Sequence, residues 1–217
     1  MNIQINNLTL NYEIHGTGKP IILLHGNSES LEIFDKLINK LKETHKVYAI
    51  DSRCHGKSEK TKEISYDLMA NDIIEFIKKL NIENPILYGF SDGGIIGLLI
   101  AMREPNLLSK LIISGANLNP SVLSKCMIFF IRITYFLTRN NLFKMMADEP
   151  NIQPEQLKNI IIPTVILAGE KDIVSYEHTK LIADNIKNSV LEIIPKENHG
   201  SYIIHNEKLY DIIEKYL

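Results

Sequence analysis

Six short, mainly apolar runs constrain this chain more than any other feature. They lie at residues 21–24, 47–50, 86–88, 111–113, 164–168 and 190–194. Each is too short for a helix and does not alternate with polar residues. That pattern suits strands of a parallel sheet covered on both faces. Two earlier segments, 3–5 and 8–14, do alternate, as half-buried strands of a hairpin do, with Asn6-Asn7 as the turn. Between the runs, apolar residues recur at helical spacing in 31–41, 66–80, 95–102, 178–186 and 209–217. Strands alternating with helices predict an α/β fold, with a mostly parallel central sheet of about eight strands and right-handed crossovers. No repeat, low-complexity tract or linker interrupts the 217 residues, so one domain spanning 1–217 is expected.

One stretch departs from this rhythm. From 116 to 162 no strand is expected; Pro120, Pro150 and Pro154 punctuate the stretch and Pro163 follows it. Its segment 121–139 is apolar nearly all round, with Lys125, Arg132 and Arg139 recurring every seven residues on one narrow stripe. A short helical cap inserted at about 117–160 is expected. Three readings of its helix stand side by side: an ordinary core helix, a cap over an apolar pocket, and a contact surface for a homodimer or a membrane.

Composition excludes several classes. Twenty-four Lys and Arg against 26 Asp and Glu leave a net charge of −2, without the basic excess of a nucleic-acid binder. Two cysteines, Cys54 and Cys126, make neither a disulfide framework nor a four-thiolate zinc site. The longest apolar stretch, 126–137, is broken by Arg132 and is shorter than the roughly 20 residues of a membrane span. The opening residues alternate and carry Asn, Gln and Glu, unlike a signal peptide. A cytoplasmic protein without a membrane span is therefore expected, with no metal and no cofactor.

The chemistry concentrates at Gly89-Phe90-Ser91-Asp92-Gly93, a G-x-S-x-G between an apolar run and a helical segment. Such a turn holds a serine strained and exposed, and its glycines let the backbone cross itself. The following helix aims its first N–H groups at a reacting carbonyl oxygen. A serine hydroxyl needs a base, and the base needs an orienting acid. Asp172 follows the run 164–168 and His199 follows the run 190–194, so both fall at the sheet edge where Ser91 lies. Glu170 is the reserve acid and His205 the reserve base. His15 and His45 read as surface or turn residues, and His178 and His205 as solvated helix residues. After 21–24 comes His25-Gly26-Asn27, a loop whose Asn27 N–H can join the Asp92 N–H in an oxyanion hole, with His25 fixing the loop. The Asp92 side chain has two readings: a helix N-terminal cap, or a substrate contact for a cationic group such as a free amine. Cys54 lacks an elbow and is not expected to be a nucleophile.

These motifs resemble the α/β-hydrolase superfamily in its compact, esterase-like branch. The likeness runs through His25–Asn27, 51–58, 89–94, 162–172 and 198–200, nearly the whole chain and in the family's order. It implies Ser91 as nucleophile, His199 as base, Asp172 as orienting acid, and Asn27 and Asp92 as oxyanion donors. Cys54 stands where members usually carry glycine, which predicts an altered turn between Asp51 and Gly56. The expected activity is hydrolysis of a small carboxylic ester by water. A thioesterase, amidase or carbon–carbon bond hydrolase would use the same triad, and a non-catalytic ligand-binding or signalling protein on the same fold is the competing class. About 45 residues for the insertion imply a small or open pocket and short substrates.

Overall fold

The computed structural model describes all 217 residues. The N-terminal hairpin pairs β1 (Asn2–Ile5) with β2 (Leu8–His15). Its turn is Asn6-Asn7, with φ of 45° and 62°, the left-handed pair that suits a tight hairpin connection. The other strands are β3 (Lys19–Leu24), β4 (His45–Ile50), β5 (Ile86–Phe90), β6 (Lys110–Ser114), β7 (Thr164–Lys171) and β8 (Ser189–Asn198). They form one eight-stranded sheet in the order β1-β2-β4-β3-β5-β6-β7-β8, parallel from β4 to β8. All eight expected strands are present. The chain steps from β3 outward to β4 and then returns past β3 to β5. This reversal makes a switch point where the loops after β3 and β5 face one crevice.

Seven helices accompany the sheet: α1 (Asp35–Leu41), α2 (Tyr66–Lys79), α3 (Asp92–Arg103), α4 (Lys125–Thr138), α5 (Asn141–Asp148), α6 (Tyr176–Asp184) and α7 (Lys208–Ile213). The apolar core divides into two layers. The larger packs α2, α3 and α6 on one side of the sheet, and the smaller packs α1 and α7 on the other. No helix is long and apolar enough to cross a membrane.

Several expectations change in detail. Residues 31–41 form a 3-10 turn, Leu31–Phe34, before α1, and 209–217 likewise close in a 3-10 turn after α7. The run 190–194 is not covered on both faces: β8 is the sheet's edge, and Val190 is half exposed. His45 is no surface residue; it opens β4 and is buried. His178 is half-buried, and its Nε2 accepts the Leu118 N–H at 3.0 Å, tying α6 to the inserted segment. His205 lies in a turn with φ of 50°, outside any helix.

The core-helix reading of 121–139 is overturned. Only Ile131 of α4 is buried, while Phe129, Phe130, Phe136 and Leu137 are 60–73% exposed. An all-round apolar sequence left both faces open as core candidates. The fold covers just the inward one, because α4 packs mainly on α5, and it is α5 that reaches the core, through Leu142 and Met145.

A buried polar framework shapes the loop after β4. The Asp51 carboxylate accepts the Leu31 and Lys57 N–H groups and the Asn11 side-chain amide, each at 2.8 Å. Arg53 then reaches Asp72 of α2 through two bonds of 2.8 Å. Both partners are almost wholly buried, so each neutralises a charge the core could not otherwise hold. The loop is thereby clamped against the turn at Leu31, β2 and α2. Cys54 takes φ of 66° within it, so the left-handed turn a glycine would make is retained, not altered. Its Sγ accepts the Thr61 N–H at 3.3 Å.

Candidate active site

Ser91 lies between the last residue of β5 and the first of α3, with φ of 51° and ψ of −111°. A non-glycine residue held there is strained and survives only where its surroundings fix it. The fixing contacts are explicit. The Ser91 N–H donates to the Ser114 carbonyl at 2.8 Å, and the Gly93 N–H donates to the His25 carbonyl at 3.1 Å. A Cβ on Gly89 would come within 2.2 Å of the Gly93 carbonyl oxygen, and one on Gly93 within 2.2 Å of that of Leu24. Both glycines of the motif are therefore demanded by backbone crossing backbone.

Asp172 directly follows β7 and His199 directly follows β8. The His199 ring bridges the other two residues, with Nδ1 at 2.7 Å from Asp172 Oδ1 and Nε2 at 3.2 Å from Ser91 Oγ. Asp172 Oδ1 also accepts the Val174 N–H at 3.0 Å, whereas its buried Oδ2 has no partner. The Phe90 ring packs 5.0 Å from His199. The reserves go elsewhere. Glu170 accepts the Lys196 N–H, and exposed His205 pairs with Asp35.

Gly115 was not anticipated. It follows β6 with φ of 64°, and a Cβ there would stand 2.6 Å from His199 Cε1 and 2.8 Å from Nδ1. The signal available was a glycine at the carboxyl end of a central strand, flanked by the same sheet edge as Ser91.

The loop after β3 lies against the serine: a Cβ on Gly26 would be 3.2 Å from that of Ser91. His25 braces this loop as expected. Its Nδ1 bonds the Gly26 carbonyl at 2.7 Å, and its Nε2 accepts the Ser52 N–H at 3.1 Å, which requires Nε2 to carry no proton. Burial, reinforced by the neighbouring His55, lowers its pKa to about 4. The unfolded state binds the extra proton between roughly pH 6.5 and 4, so this brace is fully present above that window and is lost as pH falls through it. The Asn27 N–H has no partner within the protein. The Asp92 N–H is the first of α3, among those a helix cannot satisfy itself.

The Asp92 carboxylate does not cap α3. It is buried and accepts the Tyr66 hydroxyl at 2.7 Å on one oxygen and the Asn27 side-chain amide at 3.0 Å on the other. Burial raises its pKa, opposed by those two hydrogen bonds. Burial likewise raises Glu29, whose Oε2 accepts the Gly26 N–H at 2.9 Å. Tyr66 and Glu29 were missed because a helical tyrosine and a loop glutamate carry no pattern of their own. Above Ser91 and His199 lies a cavity of about 60 Å³, walled by Leu123, Met127 and Met146 from the inserted segment, by Ile173, and by the acidic Asp92 and Glu149. No group of three or more His, Cys, Asp or Glu side chains converges anywhere as a metal cage.

The sequence profile of the alpha/beta hydrolase fold matches residues 19–144. The chain belongs to this family. Among the relatives of this α/β hydrolase is the AB hydrolase superfamily protein YisY of Bacillus subtilis, 28% identical over 96% of this chain and 95% of that one. The sn-1-specific diacylglycerol lipase ABHD11 of Danio rerio is 32% identical over 54% of this chain and 38% of its own length. In fold, the chain is similar to the esterase EaEST from Exiguobacterium antarcticum, with a TM-score of 0.88 at 23% identity, covering 100% and 98% of the two chains.

Gly115→Ala is expected to displace the His199 ring and lower kcat for an aryl ester by about 10²-fold while the fold survives. Steady-state kinetics beside a thermal melt checks this; an unchanged kcat would show that the ring has room to move.

Proposed function

We propose that the protein is a serine hydrolase that cleaves small carboxylic esters. The observation that carries this reading is the unbroken line from Asp172 through His199 to Ser91, at 2.7 and 3.2 Å, ending on a strained serine at a helix N-terminus. Ser91 Oγ attacks the ester carbonyl while His199 Nε2 takes its proton. Asp172 holds the ring with Nδ1–H towards itself and stabilises the imidazolium that forms. The backbone N–H groups of Asn27 and Asp92 receive the oxyanion of the tetrahedral intermediate. His199 then hands its proton to the departing alcohol, leaving an acyl group on Ser91. A water deprotonated by His199 attacks that acyl group and restores the serine. This sequence of steps calls on no cofactor.

Pocket size and charge narrow the substrate. The cavity over Ser91 is small, about 60 Å³. That favours a short acyl group under the inserted helices, which act as a cap. Asp92 and Glu149 in the wall favour a cationic substituent, such as an α-amino group, and disfavour an anionic one. A charged Asp92 beside the oxyanion would oppose catalysis, and the Tyr66 and Asn27 donors hold its charge towards themselves. By the same bonds Asp92 positions the Asn27 loop.

Ser91→Ala is expected to lose about 10⁴-fold in kcat on p-nitrophenyl acetate. Retained turnover would remove Ser91 from the nucleophile's role. Across aryl esters of rising acyl length, activity is expected to fall beyond short chains. Asp92→Asn separates the two roles of that side chain. A loss confined to an α-amino ester marks cation binding, and an equal loss on every ester marks positioning alone.

A further inference from the structure

The outward face of α4 is the largest departure from an ordinary protein surface. Five of the chain's exposed large hydrophobic residues, Phe129, Phe130, Ile133, Phe136 and Leu137, sit on this one helix. At 3.6 residues per turn they fall within an arc of about 120°. Lys125, Arg132 and Arg139 border that arc along one side, and α4 carries no acidic residue. Arg139 ends the helix with its guanidinium 5.0 Å above the Phe136 ring. There it also lines a cavity of about 620 Å³ together with Lys60 and Lys62, and none of these three cations has a carboxylate partner. Arg132 alone on the stripe is paired, sharing Asp148 with Lys144.

We infer that α4 is a membrane-docking helix that seats the protein on a bilayer surface bearing anionic headgroups. Aromatic and aliphatic side chains on one face, with bordering Lys and Arg, are the chemistry of a helix lying in the interfacial plane. The phenylalanines enter the headgroup–acyl boundary, while Lys125, Arg139, Lys60 and Lys62 meet lipid phosphates. A second copy of the chain fits this face less well, because a two-fold contact across α4 opposes one basic stripe to another. The opposite side of the helix supplies Met127 to the Ser91 cavity, and half-exposed Ile173 continues the apolar rim on the cavity's other wall. If the esterase reading above holds, docking brings the pocket to esters dissolved in the lipid. The docking itself does not depend on that reading.

The test is sedimentation with vesicles of phosphatidylcholine, with and without phosphatidylglycerol, using the whole chain. The protein is expected in the pellet with the anionic vesicles, at least about tenfold more tightly than with neutral ones, and released by salt. Phe129→Ser/Phe136→Ser is expected to stay in the supernatant with its melting temperature unchanged, and Lys125→Glu/Arg139→Glu to lose the preference for anionic vesicles. Failure of the native chain to bind anionic vesicles at low salt would overturn the inference. So would binding that survives the phenylalanine substitutions, or a dimer in light scattering that these substitutions dissociate. Because sedimentation needs no turnover, its failure is distinct from a failure of the hydrolase reading.

Discussion

The crossing of backbone over backbone at Gly89, Ser91 and Gly93 is the constraint on which the rest of the site depends. Gly93 approaches the Leu24 carbonyl so closely that no side chain fits, and its N–H bonds the His25 carbonyl. The elbow after β5 and the loop after β3 are thus one interlocked object. The positive φ of Ser91 is the local cost, of order 1–3 kcal/mol. It is sustained because bonds to β6 and to the β3 loop leave the serine no relaxed alternative. The same interlock sets the first N–H groups of α3 beside the Asn27 loop.

Around that fixed point, polar groups are arranged so that each holds a backbone segment rather than another charge alone. His25 joins the loops after β3 and β4, Asp51 gathers three donors, and Arg53 and Asp72 bind the second loop to α2. Asp92 continues the pattern by tying Tyr66 of α2 to Asn27. The opposite wall is held sterically, by Gly115 under the His199 ring and Phe90 beside it. The serine, the ring and the two oxyanion candidates are therefore carried by the sheet edge, while α4 lies outside both core layers.

The sheet was readable in the sequence because a strand covered on both faces leaves an unbroken apolar run, as at 86–88 and 111–113. Ser91 and Asp172 were readable because each follows such a run, and His199 because it follows the largely apolar edge strand at the same end of the sheet. What escaped were properties that depend on neighbours from other segments. Gly115 matters only once the His199 ring is above it, and His178 only because Leu118 lies within reach. Cys54 adopts a glycine's left-handed turn because the Asp51 and Arg53 bonds on either side hold the loop. For α4, apolar residues on all sides made the inward and outward faces indistinguishable until packing chose one. Tyr66 carried no signal of its own, because its role depends on its hydroxyl reaching Asp92 on another element.

The central claim is that Ser91 is an activated nucleophile. The most direct measurement is reaction with a serine-directed fluorophosphonate followed by peptide mass mapping. One adduct per chain, on the peptide holding Ser91 and prevented by prior acid denaturation, is the predicted result. An unmodified chain, or an adduct on any other residue, would contradict the account.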